Sequence, residues 1–193
     1  GRDYYNEEIL GLKFKVNAFS FFQTNIEAVE RLYSEALALI PDLDSKVVYD
    51  LYCGTGTISQ LMASKAKKVY GIEIVQDSVD AAIDNAKMNN IDNCHFICGD
   101  VKAKLDEVTE KPDMIVVDPP RMGMHDKVVE MLSSYGIEQI LYISCNPNTM
   151  AMNLEKFSEL GYEPVVMKAY DNFPKTKHAE AVTLLTRTDS YCE

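Results

Sequence analysis

The chain has 193 residues, with 30 acidic against 19 basic side chains and a formal net charge of −11. That length fits one domain with a full-sized core, or one domain with a short extension. No apolar run is long enough to span a membrane, and the acidic balance argues against tight phosphate binding by this chain alone, though it says little about charge inside one cleft. In chain order, residues 3–22 alternate at Leu12, Phe14 and Val16, which predicts a short strand pair or an extended lead-in. Ile26, Val29, Leu32, Tyr33, Ala36, Leu37 and Ile40 fall at helical spacing over 25–40, and Pro41 ends that helix. Strands and helices then alternate. Strands are predicted at 47–51, 68–72, 95–98, 114–117 and 140–143, and helices at 57–64, 77–88, 102–107, 126–134 and 149–160. Asp77 and Thr149 are the expected caps of the helices they open. A closing strand pair is expected at 165–169 and 181–185. This alternation predicts an α/β, Rossmann-like fold: a mostly parallel twisted sheet with helices on both faces. Ligands of such sheets bind beyond the carboxyl ends of the strands.

Five cysteines stand at 53, 94, 98, 145 and 192, an odd number with irregular spacing. That is no disulfide framework, and a reducing, cytoplasmic setting is expected. Cys94, His95 and Cys98 lack a second pair at zinc-like spacing, so no metal site is expected. The chain opens Gly1-Arg2-Asp3, with neither Met nor a charged-then-apolar leader. No signal peptide is expected, and a piece of a longer protein is.

The motifs fall at predicted strand ends. Asp50-Leu51-Tyr52-Cys53-Gly54-Thr55-Gly56-Thr57 follows one strand and opens a helix. Its glycines let the backbone turn sharply and approach a ligand. Gly71-Ile72-Glu73 ends the next strand and offers a carboxylate to two ribose hydroxyls. A dinucleotide fingerprint would carry a third glycine where Ser59 stands, and Asp50 would repel a pyrophosphate. It suits a cofactor bearing an amino group and a positive charge, such as S-adenosylmethionine. Asp118-Pro119-Pro120-Arg121 is a rigid strand exit that can hold Asp118 against a planar base or an amine. Ser144-Cys145-Asn146-Pro147 places a thiol at a strand end, and in His178-Ala179-Glu180-Ala181-Val182 a carboxylate begins an apolar strand. Taken alone, a buried cysteine is more often core than nucleophile, and a strand-start carboxylate is as easily solvated. Together they suit one reaction, methylation of uracil C5. Cys145 would add to C6 so that C5 becomes enolate-like, and Glu180 would remove the C5 proton afterwards. A paired base would first have to leave its stack.

These motifs resemble those of the RNA uracil-5-methyltransferase family, which modifies tRNA and ribosomal RNA, and the resemblance covers nearly the whole chain. It begins at Ser20-Phe21-Phe22-Gln23-Thr24-Asn25. It implies a Rossmann-like S-adenosylmethionine-dependent methyltransferase fold. It implies cofactor contacts at Gln23, Tyr52, Gly54, Thr57 and Glu73, with Asp118 beside both cofactor and base. It implies Cys145 as nucleophile and Glu180 as proton acceptor. On this reading residues 1–24 are a lead-in that ends a preceding region and contributes to the cofactor site, and residues 25–193 are the catalytic domain. The substrate is an RNA uracil, with ribosomal RNA expected ahead of tRNA. Two departures stand out: Met152-Asn153 replaces the usual Arg-Asp, and Ala179 and Ala181 flank Glu180. Family members carry a preceding RNA-binding portion, often barrel-like and sometimes with an iron–sulfur cluster. This chain shows none of it, so cofactor binding with weak RNA binding is expected. A base-amine methyltransferase and a non-catalytic binding module are the competing readings.

Overall fold

The computed structural model describes residues 4–17, 25–176 and 178–188. Leu10 and Gly11, both at positive φ (49 and 82), turn the chain between β1 (Tyr4–Ile9) and β2 (Leu12–Asn17). Two central residues at positive φ are what a two-residue hairpin turn requires. The pair is antiparallel and buries Ile9, Phe14 and Val16. Asn25 caps α1 (Ile26–Ala38): its Oδ1 accepts from Ala28 N at 3.2 Å. The buried stripe is Val29, Leu32, Tyr33, Ala36 and Leu37, the face that the spacing predicts.

The alternating part follows as β3 (Val47–Leu51), α2 (Thr57–Ala63), β4 (Lys68–Glu73), α3 (Gln76–Met88), β5 (Cys94–Cys98), the single turn α4 (Val101–Lys104), β6 (Met114–Val117), α5 (Asp126–Ser134), β7 (Gln139–Ser144), α6 (Pro147–Glu159), β8 (Tyr162–Tyr170) and β9 (Glu180–Arg187). The sheet order is β5-β4-β3-β6-β7-β9-β8. Strands β3 to β7 pair in parallel; β9 lies antiparallel between β7 and β8. Because side chains alternate along a strand, each strand feeds two cores. Val48, Val116 and Leu141 pack with α1 and α2 on one face. Tyr49, Ile115 and Tyr142 pack with α5 and α6 on the other. The hairpin docks its free edge on α3 through side chains. Lys13 N donates to Asn89 Oδ1 and Lys15 N to Asn85 Oδ1, each at 2.8 Å, and Asn89 Nδ2 donates to Lys13 O.

The expected caps need correction. Helix α3 opens at Gln76 with Val75 at the cap position and no side-chain cap bond; Asp77 sits inside the first turn, where its charge suits the positive helix end. Helix α6 opens at Pro147, not at Thr149. Proline has no N–H to satisfy and a fixed φ, so it favours the first helical position, and Asn146 before it is the cap. Its Oδ1 accepts from Asn148 N at 3.2 Å. Strand β8 also starts earlier than expected. Pro164 hides its first residues, and the register shift between Pro164 and Val166 lets an edge strand carry proline.

Strand β4 leaves β3 to one side and β6 lies on the other. The chain reverses direction across the sheet between β3 and β6, and the crevice beyond their carboxyl ends is where such sheets bind ligands.

Candidate active site

A cavity of about 610 Å³ opens at that crevice. Tyr52, Gly54 and Thr57 line one part of it; Asp118, Cys145 and Glu180 line another. The sheet register explains the second group. Ser144 of β7 pairs with Ala181 of β9, so Cys145 just past one and Glu180 just before the other stand at the same sheet end on neighbouring strands. On the opposite side of β7, Val117 of β6 pairs with Tyr142, which sets Asp118 beside them. Three adjacent strands therefore present a carboxyl, a thiol and a carboxyl in a row.

The first group rests on a strained loop. Tyr52 holds φ +65, an unusual conformation for a side chain of that size. The backbone is pinned there because Tyr52 N and Cys53 N both donate to Ile72 O, at 2.9 and 3.2 Å. Gly54 N donates to Glu73 Oε2 at 3.1 Å, and Val75 N donates to Glu73 Oε1 at 3.0 Å. Gly54 (φ +53) has open space where a Cβ would stand. At Gly56 a Cβ would lie 2.7 Å from the Phe96 ring and 2.9 Å from Ala82 Cβ, so that glycine serves helix–strand packing.

Asp50 lies beneath this loop, fully buried. Ser59 Oγ donates to its Oδ2 at 2.5 Å, while Oδ1 has no partner among the described residues. Burial pushes its carboxyl up to about 7, against the pull of the Ser59 bonds. Burial also raises Asp118 well above the carboxylate range, with Glu180 adding to the effect. Glu180 is raised by burial and drawn back by Arg121. The Cys145 thiol is raised by burial, then by Glu180 and Asp118, and lowered by Arg121.

The loop carrying Asp118 is stitched to the turn carrying Cys145. Asn146 Nδ2 and Thr149 Oγ1 donate to Arg121 O, at 2.9 and 3.2 Å. Met124 N donates to Asn153 Oδ1 and Asn153 Nδ2 to Met124 O, each at 2.8 Å. Asn153 Oδ1 also accepts from Tyr142 OH at 2.8 Å.

Of the residues predicted for the site, Tyr52, Gly54, Thr57, Asp118, Cys145 and Glu180 meet in the cavity wall. Glu73 stands behind Gly54 and is not itself part of the wall. Gln23 lies outside the described residues. Sequence reasoning assigned no role to three further features. Phe173, Tyr33 and Ile9 form an apolar part of the wall. Arg121 Nη2 meets His178 Nδ1 at 2.7 Å. Asp100, two residues past β5, caps α4 by accepting from Lys102 N and Ala103 N, and it adds to the burial that raises the Tyr52 hydroxyl pKa. Its signal was a carboxylate just past a strand end. Among the described residues no cluster of three metal-ligating side chains occurs, and no helix is long and apolar enough to cross a membrane.

Known proteins share this sequence pattern and fold. The sequence profile of a family described as tRNA (uracil-5-)-methyltransferase matches residues 4–111 and 100–188. An uncharacterized RNA methyltransferase of Clostridium acetobutylicum is 49% identical over 187 residues, 97% of this chain and 41% of that protein. Another from Caldanaerobacter subterraneus subsp. tengcongensis is 50% identical over 188 residues, 97% of this chain and 42% of that protein. The chain thus spans about two fifths of the length of these relatives. Among solved structures, the Pyrococcus abyssi tRNA (uracil-54, C5)-methyltransferase in complex with S-adenosyl-L-homocysteine superposes with a TM-score of 0.82 at 28% identity, covering 96% of this chain and 45% of that one.

Proposed function

The chain belongs to the tRNA (uracil-5-)-methyltransferase family, and from that premise we propose that it methylates C5 of a uracil in RNA, using S-adenosylmethionine, with Cys145 as nucleophile and Glu180 as base. The observation that carries the reading is the Ser144–Ala181 pairing, which sets a thiol and a carboxyl side by side at one cavity wall.

The residues present fit the cofactor. The cavity is of small-molecule size. Tyr52, Gly54 and Thr57 border it, Glu73 braces Gly54 from behind, and the buried Asp50, with Oδ1 unpartnered among the described residues, lies beneath the loop. Gln23 is assigned to the same site from its motif. When bound, the cofactor supplies a methyl group on a positively charged sulfur. The chain's own groups do the rest. Cys145 as thiolate forms a bond to C6, and the electron pair displaced from the ring makes C5 nucleophilic. After C5 has taken the methyl, ionised Glu180 accepts the C5 proton, the ring double bond reforms and the Cys145–C6 bond breaks. Asp118, whose pKa burial raises, can donate a hydrogen bond to the base when it carries its proton.

The test is incubation of the chain with the cofactor and RNA carrying 5-fluorouracil, at high RNA concentration and with both tRNA and ribosomal fragments. Fluorine cannot leave as a proton does, so a covalent adduct mapping to Cys145 by mass spectrometry is expected, and Cys145→Ala should abolish it and reduce methyl transfer to background. Methyl transfer that survives Cys145→Ala would sink the C5 mechanism and favour methylation of a base amine.

A further inference from the structure

The Arg121 guanidinium carries donors and no acceptor. At 2.7 Å from His178 Nδ1, its Nη2 donates and the ring nitrogen accepts. The proton of His178 then sits on Nε2, and the imidazole is neutral. Both residues line the cavity that holds Cys145 and Glu180. Arg121 is fixed at its backbone by the turn that carries Cys145, through Asn146 and Thr149. His178 belongs to the loop that runs into Glu180, and its N donates to Thr176 Oγ1 at 3.2 Å. The pair therefore bridges the segments that carry the thiol and the carboxyl. The charged and titratable groups around it are Asp118 after β6, Cys145 after β7 and Glu180 on β9. Arg121 is an exposed residue, and a long exposed side chain would otherwise sample many rotamers. His178 is the contact that fixes its tip.

We propose that His178 is a positioning residue: as a neutral imidazole it holds the Arg121 guanidinium beside Cys145 and Glu180 and so keeps the thiolate within reach. This rests on the reading of Cys145 as nucleophile. The positive charge works against what burial and two carboxyls do to the thiol.

The experiment is the pH profile of Cys145 alkylation by iodoacetamide on the whole chain, resolved by peptide mass spectrometry. It needs no RNA. In His178→Leu the midpoint should rise by about one pH unit, slowing alkylation about tenfold near neutral pH. Arg121→Leu should do the same, and the double variant should be no slower than either single one. His178→Asn, whose amide oxygen can take the place of Nδ1, should stay within about threefold of the parent. His178→Ala replaces His178→Leu if the latter does not fold, as judged by melting. An unshifted midpoint in a folded truncation, or His178→Asn as slow as His178→Leu, overturns the proposal. An unshifted thiol with a normal 5-fluorouracil adduct leaves the C5 reading standing; a shifted thiol without an adduct does the reverse.

Discussion

Asp50 and Ser59 form the most deeply buried polar contact under the cofactor loop. The folded protein holds the Asp50 proton up to about pH 7, against an ordinary value of 3.8. A carboxyl raised by folding stabilises the folded state fully below its unfolded pKa and loses that contribution as pH rises through the folded pKa. Stability should therefore fall between about pH 4 and pH 7, by on the order of 4 kcal/mol from this group. Asp50→Asn keeps an acceptor for Ser59 and removes the titration. Urea unfolding at several pH values should show a shallower fall in the variant; identical slopes would refute the assignment. The same loop shows why residue type alone is a partial guide. Gly54 and Gly56 read alike in the sequence, yet one faces open space and the other is pressed against Phe96.

At the scale of elements, the site is held together by loops clipped to helix α6. Asn153 satisfies Met124 at both backbone groups and Tyr142 at its hydroxyl, all in buried space. Asn153→Leu leaves three polar groups unpaired and should cost about 2–4 kcal/mol in urea unfolding. Asn153→Asp keeps the acceptor and should cost less; equal losses would show that packing, not hydrogen bonding, is at stake. The elements themselves were legible because their apolar periods are strong: β3 and β6 have the predicted bounds. Their ends were less legible. Thr149 looked like a cap until Pro147 took the first helical position and passed that role to Asn146. The candidate site was legible as a set of strand ends, through Tyr52, Asp118, Cys145 and Glu180. What the sequence could not supply was register. The Ser144–Ala181 pairing and the Arg121–His178 bond join residues far apart in the chain, and no local pattern encodes them.

For the molecule as a whole, the net charge of −11 sets the expectation for RNA affinity. Phosphate contacts dominate RNA affinity and need basic surface. Filter binding at physiological salt should give this chain alone a dissociation constant weaker than about 1 μM for RNA; sub-micromolar binding would contradict that expectation. Inside the cavity the same excess of acid has another effect. Asp118 and Glu180 in its wall hold their protons more tightly than free carboxyls do. A cation entering the crevice draws protons off such groups, and its neutralisation lets them return. A sulfonium donor arrives charged and leaves, once its methyl is spent, as a neutral thioether. The carboxyls of the wall, Asp118 and Glu180, thus adjust their protons to the charge the crevice holds.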